Sequence, residues 1–135
     1  MVRHPNTLQR VFHEIARAGE TSLRDLGRVV GLRPSTLALE VRGLARRGLV
    51  ELSADRKGVR LNPGYGYVVG VDLGAGHLHY ALADFRGELL TERTVKIRPE
   101  DGPRKLIHQM KEQIRHLAED AGRRKLLALA VGVPS

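Results

Sequence analysis

The chain of 135 residues contains no cysteine. That excludes disulfide frameworks and thiolate metal sites, and it is compatible with a reducing compartment. Tryptophan is absent and aromatic residues make up 4% of the chain, so Leu, Val and Ala must supply most of the buried surface. The longest apolar run, Leu126 to Val131, falls far short of the roughly 20 residues that a membrane-spanning helix needs. The N-terminus has no apolar stretch of signal-peptide type, and these absences together predict a soluble, cytoplasmic protein with no membrane partner. No Ser/His/Asp or paired-carboxylate arrangement carries a specific signature. Glu100-Asp101 and Glu119-Asp120 stand in polar surroundings, so neither catalysis nor a cofactor is expected. His77 and His79 would share one face of a strand, but no third ligand lies near them in sequence and no metal site is expected.

Positive charge, in contrast, is abundant and unevenly placed. The net charge is +8, with twelve Arg/Lys against six Asp/Glu up to Asn62 and eleven against nine beyond it. The first part therefore carries most of the excess and should attract phosphate irrespective of base sequence. Basic composition alone does not choose between nucleic acid and other acidic partners.

Helical spacing of Leu8, Val11, Phe12, Ile15 and Ala18 after an Asn6-Thr7 cap predicts a first helix stopped by Gly19. Ser22 followed by Asp25 resembles a capping box opening a second helix, with Leu23, Leu26, Val29 and Val30 inward and Gly31 at its end. Pro34 suits the first turn of a third, in which Leu37, Val41 and Leu44 recur on one face before Gly48. Strands are expected at Leu49 to Leu52 and Val59 to Leu61, joined by the polar hairpin from Ser53 to Gly58. Three helices and a hairpin make a winged helix-turn-helix, a module whose second motif helix can enter the major groove of DNA.

With Leu37, Val41 and Leu44 inward, a rotation of about 100° per residue places Ser35, Leu39, Arg42 and Arg46 on the opposite side, flanked by Ala38. Arg42 suits a bidentate pair with guanine, Leu39 or Ala38 a thymine methyl, Ser35 or Thr36 a phosphate, and Arg46 a more distant phosphate. On the wing, Arg56, Lys57 and Arg60 suit a neighbouring phosphate or the minor groove. Duplex DNA is the expected partner. A winged helix that docks another protein is the alternative, and there the same charges are simply a solvated face.

The turn-rich segment around residues 63–67 reads as a hinge, after which residues 68–135 start a second unit. Tyr67 to Val71 should be a buried strand, and Asp72 to Gly76 a turn. His77 to Asp84 and Glu88 to Ile97 complete an antiparallel meander. Pro103 opens a helix reaching about Ala121, with Leu106, Ile107, Met110, Ile114 and Leu117 on its apolar face, and Leu126 to Val133 forms a last strand. Sheet edges and an apolar helix face left without cover predict self-association.

Three phrases in this order resemble the ROK proteins (repressor, open reading frame, kinase), and specifically the xylose-repressor-like branch. They are GLRPSTLALEVRGLARRGLVEL, YVVGVDLGAGHLHYALADFRGELL and the terminal ALAVGVPS. The resemblance implies an α+β chain, with residues 1–62 a DNA-binding winged helix and residues 68–135 the first half-lobe of an actin-like ATPase fold. It further implies a sugar-responsive repressor acting as a homodimer, with a sugar effector if a longer parent exists. A sugar-kinase relative that binds nucleotide or sugar is the rival. Arg33 stands where the family commonly has a Ser cap, and Ala38 and Leu39 replace the polar pair often found in the groove. The phosphate loop of the kinases resembles Asp-Leu-Gly-Gly-Thr. Here Asp72 and Gly74 keep the acid and one glycine, while Ala75 and Gly76 stand where the pattern has Gly and Thr and the hydroxyl is lost, so the loop of Asp72, Gly74 and Gly76 is expected to be vestigial, no more than a turn. The family's sugar-binding residues, catalytic Asp, zinc site and second phosphate loop have no counterpart before Ser135, which predicts a truncated chain.

Overall fold

The computed structural model describes residues 6–133, and the chain divides into two compact units, Met1–Asn62 and Pro63–Ser135. In the first, α1 (Thr7–Ala18) is opened by a reciprocal cap. Asn6 accepts from the Gln9 backbone N–H at 2.8 Å, and Gln9 accepts from that of Asn6 at 3.1 Å. A three-residue strand, β1 (Glu20–Ser22), leads into α2 (Leu23–Val30), whose first turn is capped by the Ser22 hydroxyl accepting from the Asp25 N–H. Then follow α3 (Pro34–Arg46), β2 (Val50–Leu52) and β3 (Gly58–Leu61).

Strand β1 was not legible in the sequence. It pairs antiparallel with β3, which also pairs with β2, so the wing is a three-stranded sheet in the order β1-β3-β2. The core beneath it is built from Val11 and Ile15 of α1, Leu26 and Val30 of α2, Leu37, Val41 and Leu44 of α3, and Val50, Val59 and Leu61 of the sheet. Burying each such side chain stabilises the unit by about 2 kcal/mol. Val29, expected inward, is 61% exposed: it sits next to Val30 on a helix of two turns whose narrow stripe is filled by Leu26 and Val30. The Arg10 guanidinium donates to the Val30 carbonyl at 2.9 Å, tying α1 to the end of α2.

In the second unit, β4 (Gly66–Leu73), β5 (His77–Asp84) and β6 (Leu89–Lys96) form the expected meander. A short 3-10 turn at Pro99–Asp101 precedes α4 (Pro103–Asp120), and β7 (Lys125–Gly132) returns parallel to β4. The sheet order is β6-β5-β4-β7. Gly66, expected in the hinge, is the first residue of β4, and Tyr67, at the boundary of hinge and strand, is buried opposite Asp84, because an apolar ring on a strand is worth more inside than in a linker. Helix α4 packs Leu106, Met110, Ile114, Leu117 and Ala121 over Tyr67, Val69, Val71, Leu78, Tyr80 and Leu82. Ile107, expected on that face, is 51% exposed, since the buried stripe advances by three and four residues and passes it by.

The meander is closed by two different turns. Asp84, only 2% exposed, holds the β5–β6 connection: its carboxylate accepts from the N–H groups of Arg86 and Glu88 and from the Arg86 guanidinium. Gly87, at φ +87°, takes the left-handed conformation this turn requires. The last two residues of the ALAVGVPS phrase lie outside the described residues.

Candidate nucleic-acid interface

The turn between α2 and α3 is built from Gly31, Leu32 and Arg33. Gly31 adopts φ +69°, and the Leu32 N–H reaches back to the Gly27 carbonyl at 3.1 Å. Gly27 lies at the helix crossing, where a Cβ would make ordinary contacts of 3.4 Å with the Leu32 carbonyl and a Leu37 methyl. Pro34 then starts α3 in a helical φ without needing an N–H partner.

This crossing fixes which side of α3 is free. Leu37, Val41 and Leu44 are buried, while Ser35, Thr36, Leu39, Arg42 and Arg46 are exposed and Ala38 is half-buried. The six positions singled out on α3 therefore lie away from the core, with Leu39 presenting 63% of its surface. Neither Arg42 nor Arg46 forms an ion pair among the described residues.

The wing tip is held by side-chain to backbone bonds. The Ser53 hydroxyl accepts from the Gly58 N–H at 2.8 Å, and the Asp55 carboxylate accepts from the Lys57 N–H at 3.0 Å and from the Ser53 hydroxyl. These donors hold the Asp55 carboxyl below the ordinary aspartate range, the Ser53 hydroxyl contributing most. Arg56 sits at φ +57°, a left-handed conformation that points to a tightly specified tip, and both Arg56 and Lys57 are exposed. Arg60 differs. Its guanidinium is engaged by Glu51, directly across the β2–β3 ladder, at 2.6 and 2.7 Å.

Three further cations surround the α2–α3 turn and were not singled out in the sequence. Arg24, Arg28 and Arg33 border a cleft of about 700 Å³ floored by Leu23, Leu32, Pro34 and Leu37. Arg28 is only loosely paired with Asp25, at 3.7 Å, and both are well exposed. A one-turn spacing of Arg24 and Arg28 along α2 was the available signal. It was obscured because Arg33 reads as a missing cap, and the helix is in fact opened there without a side-chain cap.

In the second unit, Gly74 to Gly76 form the short connection from β4 to β5. The Gly74 N–H is spent on the His77 carbonyl at 2.8 Å, and the Gly76 carbonyl accepts from the Ile97 N–H at 2.9 Å. Neither glycine has a left-handed φ, and Asp72 stands exposed at the end of β4. His79 is hydrogen-bonded through Nδ1 to the Thr94 hydroxyl at 2.9 Å. No group of three His, Asp or Glu among the described residues is placed to hold a metal ion, and no described helix is long and apolar enough to cross a membrane.

No protein-family model matches the chain. Over 126 residues it is 25% identical to a protein of Caldicellulosiruptor sp. (strain Rt8B.4) named "Putative xylose repressor", a match spanning 89% of this chain and 31% of that protein. In fold it is similar to the crystal structure of a ROK family transcriptional regulator, a homolog of the E. coli MLC protein. That likeness has a TM-score of 0.66 and 22% identity over 96% of this chain and 35% of the other. A zinc uptake regulator complexed with zinc and DNA covers 99% of the chain at a TM-score of 0.40 and 14% identity, too distant to carry an argument. The chain thus spans about a third of the length of the relatives it matches.

Proposed function

We propose that this chain, ROK-repressor-like in sequence and in fold, is a DNA-binding transcriptional regulator that reads duplex DNA with the exposed face of α3 and grips the backbone with its wing. The observation that carries the reading is the arrangement of the first unit. A helix-turn-helix buries Leu37, Val41 and Leu44 and leaves Ser35, Thr36, Leu39, Arg42 and Arg46 free on a unit that bears most of the net charge. In this reading the exposed Arg42 recognises a base edge. Arg46, Arg56 and Lys57 supply phosphate contacts, and Ser35 and Thr36 lie at the helix start, where backbone N–H groups favour an anion.

Residues 1–62 are the DNA-binding part in this reading, followed by a linker within 63–67. The second unit is the start of an actin-like half-lobe, a reading supported by a three-stranded meander, a packed helix and a parallel fourth strand. The name of the similar putative xylose repressor supports a repressor of sugar-metabolism genes, and in this reading the protein acts as a homodimer that answers to a sugar. The β4–β5 turn is not a nucleotide site in this account, since the Gly74 N–H already has a partner.

Joint charge reversal, Arg42→Glu with Arg56→Glu, tests the reading because both side chains are exposed and neither packs in the core. Retention of duplex DNA in a gel-shift assay is expected to be lost while the circular dichroism spectrum is kept. Unchanged retention would instead favour the protein-docking winged helix. Saturable heat on titrating ATP or a hexose would favour the kinase relative.

A further inference from the structure

The cleft beside the α2–α3 turn and its three arginines have no part in the proposed reading of DNA. Its volume is about 700 Å³, and every residue that lines it comes from the continuous stretch between Leu23 and Ala38. The walls therefore belong to one compact unit, and the second unit contributes nothing to them. Small-molecule sites span roughly 300–1,000 Å³, so the size suits a small ligand.

Floor and rim differ in chemistry. Leu37 is buried and Leu23 and Leu32 are half-buried, which makes the floor apolar. The rim carries Arg24, Arg28 and Arg33, all exposed. Among the described residues their one ion pair is the 3.7 Å approach of Arg28 to Asp25, and that carboxylate already accepts from the Ser22 hydroxyl at 2.7 Å. Arg24 and Arg28 stand one turn apart on α2, a like-charge pair that costs helix stability until an anion lies between them. Gly27 adds a second observation. Its φ is not left-handed, and an alanine Cβ would make only ordinary contacts with Leu32 and Leu37, so neither the backbone nor the helix crossing demands glycine. A glycine inside a helix is less stable than alanine. What it does here is leave the floor open between Leu32 and Leu37.

We propose that this cleft binds a small amphipathic carboxylate, a medium-length acyl chain ending in one acid group. Guanidinium groups of the rim clamp the carboxylate through paired N–H donors, a geometry that arginine suits better than lysine. The chain lies on Leu23, Leu32 and Leu37, over the gap left by Gly27. An inorganic anion would use the rim and leave the floor wet, and an uncharged apolar molecule would leave the arginines uncompensated. A ligand with both parts matches both. The inference does not depend on the DNA-binding reading.

NMR titration of the full chain with sodium octanoate, kept below its micellar range, tests this. Saturable shifts are expected at the methyl groups of Leu23, Leu32, Leu37 and Ala38, with an affinity at least about tenfold above those of acetate and octanol. Arg24→Glu combined with Arg33→Glu should weaken octanoate about tenfold and leave octanol unchanged, which separates a lost carboxylate clamp from a lost fold. Gly27→Ala should keep the circular dichroism spectrum and the melting temperature while weakening octanoate, because it fills the floor. Octanoate no tighter than acetate, shifts scattered over the surface, or an affinity indifferent to the arginine changes would overturn the proposal. Duplex DNA that moves these four methyl groups where octanoate does not would also overturn it, and would assign the rim to a phosphate backbone.

Discussion

Arg60 lies directly across the wing ladder from Glu51 and donates to its carboxylate through Nε and Nη2. Two wing cations that look alike in sequence are thereby separated: Arg56 at the tip is free to meet a phosphate, and Arg60 is already satisfied. Arg56→Ala should lower the salt dependence of DNA binding by about one unit of slope, whereas Arg60→Ala should change it far less. Glu51→Gln, which releases Arg60, should tighten binding at low salt. Anisotropy titrations at several salt concentrations check all three, and equal slopes for the two arginine variants would count against the assignment.

The buried carboxylate of Asp84 offers a test of the second unit. It accepts four hydrogen bonds in a site almost closed to water, so Asp84→Ala leaves the Arg86 and Glu88 N–H groups without an acceptor. A loss of about 3 kcal/mol is expected on urea denaturation. A loss below about 0.5 kcal/mol, the range of an ordinary surface change, would show that the turn does not depend on it.

Helix α4 presents Leu117 to the sheet with none of its surface exposed, while Ile107 faces out. Leu117→Ala should cost about 3 kcal/mol, and Ile107→Ala within about 0.5 kcal/mol of nothing. The reverse order in chemical denaturation would mean that the helix is rotated relative to the sheet.

Asp55 holds the wing turn through the Ser53 hydroxyl and the Lys57 N–H, and both donors favour its charged form. A carboxyl lowered in the folded state stabilises above its unfolded value and loses that contribution as pH falls through the folded one. The Asp55 carboxyl carbon should therefore titrate by NMR below the ordinary aspartate range, with the Lys57 amide shift following it. Titration at or above the usual aspartate range would contradict the turn geometry.

Much of this architecture is legible from local rules. The Asn6 and Ser22 caps, Gly31 at a left-handed φ, Pro34 at the start of α3 and the stripe of Leu37, Val41 and Leu44 are short-range devices, and each appears where the sequence puts it. What was not legible depends on partners far along the chain. Strand β1 has three residues and exists only because β3 accepts it, and the engagement of Arg60 needs the register that brings Glu51 opposite. Val29 and Ile107 are apolar residues at helical spacing that fall just outside a buried stripe, whose width is set by the packing partner and not by the helix. At the candidate interface the exposed side of α3 followed from periodicity. The cluster of Arg24, Arg28 and Arg33 needed the angle at which two helices cross.

The most direct test of the account is fluorescence anisotropy of labelled duplexes from the gene's own upstream region against scrambled duplexes, titrated over salt. Preference for the native duplex, with a steep salt slope that Arg42→Ala flattens and whose sequence preference it erodes, is the predicted result. Equal, weak binding to both duplexes, unchanged by Arg42→Ala, would contradict specific recognition by α3.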